Sequence, residues 1–302
     1  MSVVALPILS HSLKTFSALV RAFPVNRKKG VFVALSLWLR RWKFDFNFHC
    51  RPVQLKWSAA GFPDLLTRTM MFKGVYQPEV VGALRGLVQP GDTVFDVGGH
   101  HGLMALVAAK AAGETGRVIT FEPNPAAREL IQHHSRLNRT ATVRVEPLAL
   151  CDSAGQMKFY VQKGVVSWNS TLYVDFMAVE ERQFDCIDVE TMELDRYVEQ
   201  TGWVPKVIKL DAEGAELAIL RGARKTIERH RPAFTMEFNP ESMAAAKSTV
   251  AEIHAWFKSL GYRVLVLRAN KLRGYTLADS EPFDEAKHCA KSFCNVVCVP
   301  SE

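Results

Sequence analysis

TVFDVGGHHGLMALVAAKAA, residues Thr93 to Ala112, is the stretch whose reading decides the fold. It opens on a short apolar run interrupted by one acid, Asp96, and passes through the turn Gly98, Gly99, His100, His101, Gly102. It then continues as an alanine-rich segment with apolar residues at helical spacing. A strand that feeds a helix through glycines is one βα step, because glycine frees the backbone where the period changes from 2 to 3.6.

The step repeats downstream. Arg117 to Phe121 reads as a second strand, Pro125 to Leu137 as a helix, Thr142 to Glu146 as a third strand and Val207 to Asp211 as a fourth. A helix over Ala215 to His230, a strand over Ala233 to Phe238 and a helix over Ser242 to Leu260 follow. Tyr262 to Leu267 and Phe293 to Val299 are the last strands. Alternating strands and helices build parallel βαβ units, so the expected fold is α/β, a doubly wound, seven-stranded and mostly parallel sheet. Residues 75–302 form this domain, and residues 1–74 a basic, apolar, helical N-terminal extension. A longer excursion, Gly155 to Asp195, contains Ser167, Trp168, Asn169, Ser170 and Thr171; it is either an insert that touches substrate or a surface hairpin.

The chain has 302 residues, 48% of them hydrophobic and 23% charged, an ordinary globular composition. Its net charge of +7 is unevenly placed. Residues 1–60 hold ten basic side chains (Lys14, Arg21, Arg27, Lys28, Lys29, Arg40, Arg41, Lys43, Arg51 and Lys56) against the single acid Asp45, which leaves the rest slightly negative. A body without a basic stripe excludes a nucleic-acid groove across it, and an anionic partner would meet the N-terminal segment. The six cysteines, Cys50, Cys151, Cys186, Cys289, Cys294 and Cys298, include no CxxC pair and fit a reducing cytoplasm better than a disulfide scaffold. His288, Cys289, Cys294 and Cys298 match no common zinc spacing and read as an apolar strand with buried thiols, so no metal is assigned. The first twenty residues lack a charged lead-in and are interrupted by His11 and Lys14, unlike a signal peptide. The apolar run Val31 to Leu39 is about half of the roughly 18 residues that a membrane span requires.

In an open parallel sheet, ligands bind beyond the carboxyl ends of the strands where strand order reverses. Asp96 and the glycine turn follow strand one. Glu122 lies at the end of strand two, twenty residues past Gly102, the spacing at which a carboxylate takes the two hydroxyls of an adenosine ribose. The turn is not GxGxxG, so it is not a pyrophosphate cradle, and Asp96 beside it suits a ligand with a cationic or amine-bearing part. Strand four ends in Lys209, Leu210, Asp211, Ala212, Glu213, Gly214, Ala215, Glu216. Glu216 fits the start of a helix, where acids favour the positive end, and Asp211 and Glu213 read as functional.

Ile208 to Ala223, IKLDAEGAELAILRGA, closely resembles the hallmark segment of the FkbM family of S-adenosylmethionine-dependent methyltransferases. Similar to that family in the same order are VFDVGGHHG at Val94 to Gly102, FEPNP at Phe121 to Pro125, the pair Leu194 and Asp195, and Glu237 in FTMEFNP. The likeness spans about residues 75 to 299. It departs from the family at Gly99 and His100, where alanine and asparagine are usual. The resemblance implies a Rossmann-like class I methyltransferase fold, S-adenosylmethionine as cofactor, and O-methyl transfer to a hydroxyl of a small molecule or saccharide.

The cofactor site expected on this reading is Asp96, Gly98, Gly99, His100, Gly102 and Glu122. Asp211, Glu213 and Glu237 are the candidate bases for a hydroxyl proton, with His101 the runner-up. The same carboxylates also fit a divalent metal or the orientation of acceptor hydroxyls. Two other readings stand beside it. One is a nicotinamide-dependent oxidoreductase, disfavoured by the missing GxGxxG. The other is a non-catalytic membrane-surface module. Arg27, Lys28, Lys29, the run Val31 to Leu39, and Arg40 and Arg41 fit either peripheral contact through residues 1–60 at the inner membrane face or a helical lid.

Overall fold

The structure, a computed structural model, describes residues 47–58, 65–162, 184–268, 280–289 and 292–301. The basic residues up to Lys43, the run Val31 to Leu39 and the excursion's Ser167 to Thr171 lie outside the described residues, so the readings placed on them stay as expectations. The chain divides into two compact units, Met1–Gln77 and Pro78–Glu302.

In the first unit, β1 (Asn47–Cys50) pairs antiparallel with β2 (Leu55–Ser58) and is followed by the helix α1 (Leu65–Lys73). Cys50, Leu55, Trp57 and Met70 are fully buried, and the Trp57 indole N–H donates to Thr67 Oγ1 at 3.3 Å. The extension expected to be helical therefore includes a hairpin. Its alternation, exposed at Asn47 and His49 and buried at Phe48 and Cys50, is the period of a half-buried strand.

The second unit opens on α2 (Pro78–Leu87) and continues through β3 (Thr93–Val97), α3 (Leu103–Ala112), β4 (Arg117–Phe121), α4 (Pro125–Asn138) and β5 (Val143–Glu146). The excursion holds β6 (Leu148–Leu150), β7 (Gly155–Gln162) and β8 (Phe184–Met192), which form a separate three-stranded sheet in the order β6-β8-β7. After it come α5 (Leu194–Thr201), β9 (Val207–Leu210), α6 (Glu216–Gly222), α7 (Arg224–His230) and β10 (Ala233–Phe238). The last elements are α8 (Pro240–Ala245), α9 (Val250–Ser259), β11 (Tyr262–Val266), β12 (Glu281–Pro282), α10 (Glu285–His288) and β13 (Cys294–Pro300).

The main sheet has the order β12-β11-β13-β10-β9-β3-β4-β5. Strands β10, β9, β3, β4 and β5 are parallel, and β13 runs antiparallel between β10 and β11. This is a doubly wound, Rossmann-like α/β fold. Strand order reverses between β3 and β9, which places the switch point where the glycine turn and the acidic segment emerge. The eighth strand is the two-residue β12, too short to leave a periodic signal in sequence.

Burial explains why these segments are strands and helices. All four residues of β9 are buried, as are the last four of β3 and of β4, so these strands are covered on both faces and read as apolar runs. Helix α3 is buried around most of its circumference, which is why it is built of alanine and leucine. Phe95, Phe121 and Tyr197 meet edge to face at 4.9 to 5.8 Å between ring centres, and the Tyr197 hydroxyl donates to Glu146 Oε1 at 2.9 Å. Each such buried ring contributes on the order of 2–3 kcal/mol.

Two helices read as continuous are broken. Ala215 to His230 divides at Ala223. Ser242 to Leu260 divides where Lys247 takes a left-handed φ of 57° and Thr249 with Glu252 forms a capping box that starts α9.

Candidate active site

The turn after β3 is held from within. The N–H groups of Gly98 and Gly99 both donate to the Phe121 carbonyl, at 3.1 and 3.3 Å, and the N–H of Gly102 donates to the Gly99 carbonyl at 2.7 Å. The N–H of His100 donates to Glu122 Oε2 at 2.7 Å. Each glycine is required by protein atoms. A Cβ at Gly98, where φ is 78°, would stand 1.9 Å from the Asp211 carbonyl oxygen, and one at Gly99 would stand 2.1 Å from Thr120 Oγ1. Gly102, with φ of 85°, sits against Ile131. The amides of Gly98, Gly99, His100 and Gly102 bond inside the protein, with the Asp211 carbonyl packed against Gly98.

Glu122 is only 6% exposed. Its Oε1 accepts from the N–H of Asn124 at 2.9 Å, and Asn124 in turn caps α4 through the N–H of Ala126. Burial pushes the Glu122 carboxyl up to about 7 against the pull of these two N–H donors. Each of its oxygens keeps a second lone pair, so the carboxylate can still accept from a diol.

A buried polar row crosses the sheet just beneath the strand ends. Thr120 of β4, Asp96 of β3, Lys209 of β9 and Thr235 of β10 are successive register partners. The Thr120 hydroxyl donates to Asp96 Oδ2 at 3.1 Å, and Lys209 Nζ lies 3.6 Å from Asp96 Oδ1, which has no hydrogen-bond partner. Lys209 Nζ donates to the Gly98 carbonyl at 2.8 Å and lies 3.5 Å from Asp211 Oδ2. Burial raises the affinity of Asp96 for a proton, and burial would lower that of Lys209. The facing Asp211 and Asp96 carboxylates more than offset burial at the lysine and hold its ammonium above the usual range.

Beyond β9 the chain turns sharply, with Glu213 at φ 49° and Gly214 at φ 103°. Glu216, 2% exposed, accepts from the Ala212 N–H at 2.9 Å through Oε1 and closes this turn, which gives it the structural part expected of a helix start. Burial moves the Glu216 carboxyl to about 7. Burial and then Asp211 and Glu237 raise Glu213 well above the carboxylate range, and burial and then Asp211 bring Glu237 to about 8. Asn239 Nδ2 donates to Glu237 Oε1 at 3.3 Å. The register partner of Glu237 in β13 is Asn295, whose Nδ2 donates to Glu79 Oε1 at 2.8 Å.

The structure thus gathers Asp96, Glu122, Asp211, Glu213 and Glu237 at one end of the sheet. His101 is buried at 4% exposure, and its Nδ1 faces His100 Nδ1 at 3.1 Å. Asp195 lies apart from the cluster and accepts from the N–H groups of Lys225 and Thr226 at the start of α7. Cys289 and Cys294 sit with sulfurs 3.4 Å apart, and Cys298 is fully buried within β13. Among the described residues no helix is long and apolar enough to cross a membrane.

Sequence reasoning quoted Lys209 but gave it no part. Its signal was available: a lysine inside a strand covered on both faces cannot reach water, so it must meet a carboxylate or carbonyls. Glu79 and Asn295, 216 residues apart, carried no such signal.

Residues 96–264 match the methyltransferase FkbM domain. Among solved structures, the chain is similar to methyltransferase FkbM from Methylobacillus flagellatus KT at 13% identity and a TM-score of 0.42, over 88% of this chain and 58% of that one. It therefore spans less than two thirds of that protein's length. An S-adenosylmethionine-dependent O-methyltransferase from Thermotoga maritima matches at 14% identity and a TM-score of 0.40, over 83% of this chain and 78% of that one. An S-adenosylmethionine-dependent methyltransferase from Aquifex aeolicus matches at 13% identity and 0.42, over 79% and 95%. No curated protein matches the sequence.

Proposed function

The chain belongs to the methyltransferase FkbM family, and on that premise we propose that it moves the methyl group of S-adenosylmethionine to a hydroxyl of a small molecule or saccharide. The observation that carries this reading is the inversion of polarity at the glycine turn. Its N–H groups bond inward, while Asp96, Asp211 and Glu122 surround it with acceptors. A pyrophosphate needs the opposite arrangement, with donors facing out, whereas a cationic ligand carrying a ribose diol suits carboxylates. Asp96 Oδ1, buried beside Lys209 and without a hydrogen bond, is a further negative centre for such a ligand.

When bound, the cofactor supplies a methyl already activated on a sulfonium, so the protein's work is to position, to exclude water and to move one proton. Glu122 takes the ribose hydroxyls through its free lone pairs. Gly98, Gly99, His100 and Gly102 fix the turn that seats the cofactor, and Asp96 lies beside it. Asp211, Glu213 and Glu237 face the acceptor side. A base works best when its proton affinity lies near the working pH, and Glu237, brought to about 8, meets that condition with Glu213 beside it. The excess of basic groups in residues 1–60 supports a peripheral contact with anionic lipid, which would bring the enzyme to a lipid-linked acceptor.

Isothermal titration of S-adenosylmethionine and S-adenosylhomocysteine into the protein and into Glu122→Ala tests the cofactor assignment. The expected result is binding by the parent and its loss in the variant; no binding by the parent overturns the reading. Sedimentation with phosphatidylserine vesicles tests the lipid contact. The parent should pellet and the variant Arg27→Gln, Lys28→Gln, Lys29→Gln should not, and equal pelleting removes that part.

A further inference from the structure

We propose that Lys209 is a positioning residue that joins the two halves of the cofactor site and sets the charge presented to the sulfonium. This deepens the cofactor assignment above and rests on it. The ammonium bonds to the Gly98 carbonyl at 2.8 Å, to the Val97 carbonyl at 3.4 Å, and lies within 3.6 Å of Asp96 and 3.5 Å of Asp211. Gly98 begins the turn after β3, and Asp211 begins the acidic segment after β9. The two segments also touch directly, since the Asp211 N–H donates to the Val97 carbonyl and no Cβ fits between Gly98 and the Asp211 carbonyl. One buried cation therefore ties both sides of the switch point into a single piece.

Its second effect is on charge. Asp96 and Asp211 together carry two negative charges beneath the seat of the cofactor, and Lys209, 6% exposed, cancels one of them. Lys209 therefore sets how much negative charge the Asp96 and Asp211 pair presents to a sulfonium. After transfer the sulfur is a neutral thioether and that attraction is gone. A pocket with a larger negative charge would hold the donor more strongly relative to the product, and a neutral one would lose the distinction. Glu122 from β4, Glu213 and Glu216 from the segment after β9 and Glu237 from β10 also lie around this end of the sheet. Glu122, which faces the ribose common to donor and product, cancels from the ratio of their affinities.

That ratio is the test. S-adenosylmethionine and S-adenosylhomocysteine are titrated at pH 6.5 and 8.5 into the parent, Lys209→Met, Lys209→Arg and Asp211→Asn, with a melting curve for each. Lys209→Met should weaken both ligands at least tenfold through loss of the tie to Gly98. It should also shift the ratio toward S-adenosylmethionine at least threefold at pH 8.5, and less at pH 6.5, because burial favours the protonated form of Asp96 as the pH falls. Lys209→Arg keeps the charge and should keep the ratio. Asp211→Asn, a partly exposed position that tolerates change if Lys209→Met does not fold, should move the ratio at least threefold the other way. Ratios within twofold of the parent in every folded variant would overturn the proposal, whatever the melting temperatures. Absence of binding by the parent would instead overturn the cofactor assignment.

Discussion

Two loops face each other across the switch point and are stabilised in opposite ways. In the turn Gly98 to Gly102 the N–H groups of Gly98, Gly99, His100 and Gly102 have partners within the protein, the glycines fill spaces no side chain could share, and Glu122, just past β4, latches it. The segment Asp211 to Glu216 instead crowds like charges together. Burial, and then neighbouring carboxylates, raise the proton affinity of Glu213 and Glu216, and Glu213 takes a left-handed φ of 49°, as His100 takes 50° in the first loop. The first loop is held by hydrogen bonds from its own backbone N–H groups. The second stores an imbalance that a cation or an acceptor hydroxyl would relieve, which is the arrangement expected where chemistry takes place.

The largest effect should come from breaking the first loop. Gly98→Ala places a methyl 1.9 Å from the Asp211 carbonyl at a φ of 78°, and should cost about 3 kcal/mol or more in denaturant unfolding and abolish titratable cofactor binding. Parent-like stability would show that the two loops do not need this approach. Next, Glu122→Gln keeps an oxygen for the His100 N–H but loses the charge. It should weaken S-adenosylhomocysteine about tenfold or more by calorimetry, and an unchanged Kd would confine Glu122 to bracing the turn.

In the acidic segment, Glu213→Gln removes a carboxyl whose ionisation is opposed by burial and by the neighbouring Asp211 and Glu237, so the gain in stability is read at high pH. Methyl-transfer turnover should fall at least tenfold while the protein becomes more stable by roughly 1 kcal/mol, the opposite signs that mark strain kept for function. A loss of both would make Glu213 structural.

The smallest effect is on pH. Glu122 and Glu216 at about 7 and Glu237 at about 8 hold protons more tightly in the folded chain than in the unfolded one, where the ordinary value is 4.5. Between about pH 5 and 8 the folded state therefore binds more protons, and stability falls as pH rises. The ligand-free protein should melt a few degrees higher at pH 6 than at pH 8 in scanning fluorimetry; a melting temperature that rises with pH would contradict the raised affinities.

Much of this was legible in sequence because both strand identity and strand order leave local signals. Covered strands read as apolar runs, and Glu122, Asp211 and Glu237 are each legible as the acid that ends or follows one. What was missed depends on partners remote in the chain. The break before α9 rests on one left-handed lysine, Lys247, a residue type with no preference for that conformation. Leu148–Leu150 joins β8 only after the excursion folds back. The part played by Lys209 exists only once β3 and β9 are paired in register, with Asp96 opposite it. His101 is the plainest lesson in the other direction. A histidine in a glycine turn reads as exposed, yet packing under the turn buries it against His100.

The position of β13 in the sheet also bears on how the molecule is made. It lies between β10 and β11 but follows both in the chain. Until Cys294 to Pro300 have left the ribosome, β10 and β11 each present an open edge in a nascent sheet, and Glu237 has no Asn295 opposite it. Synthesis therefore completes the sheet beside Glu237 last, and until then two strand edges are open to pairing with a neighbour.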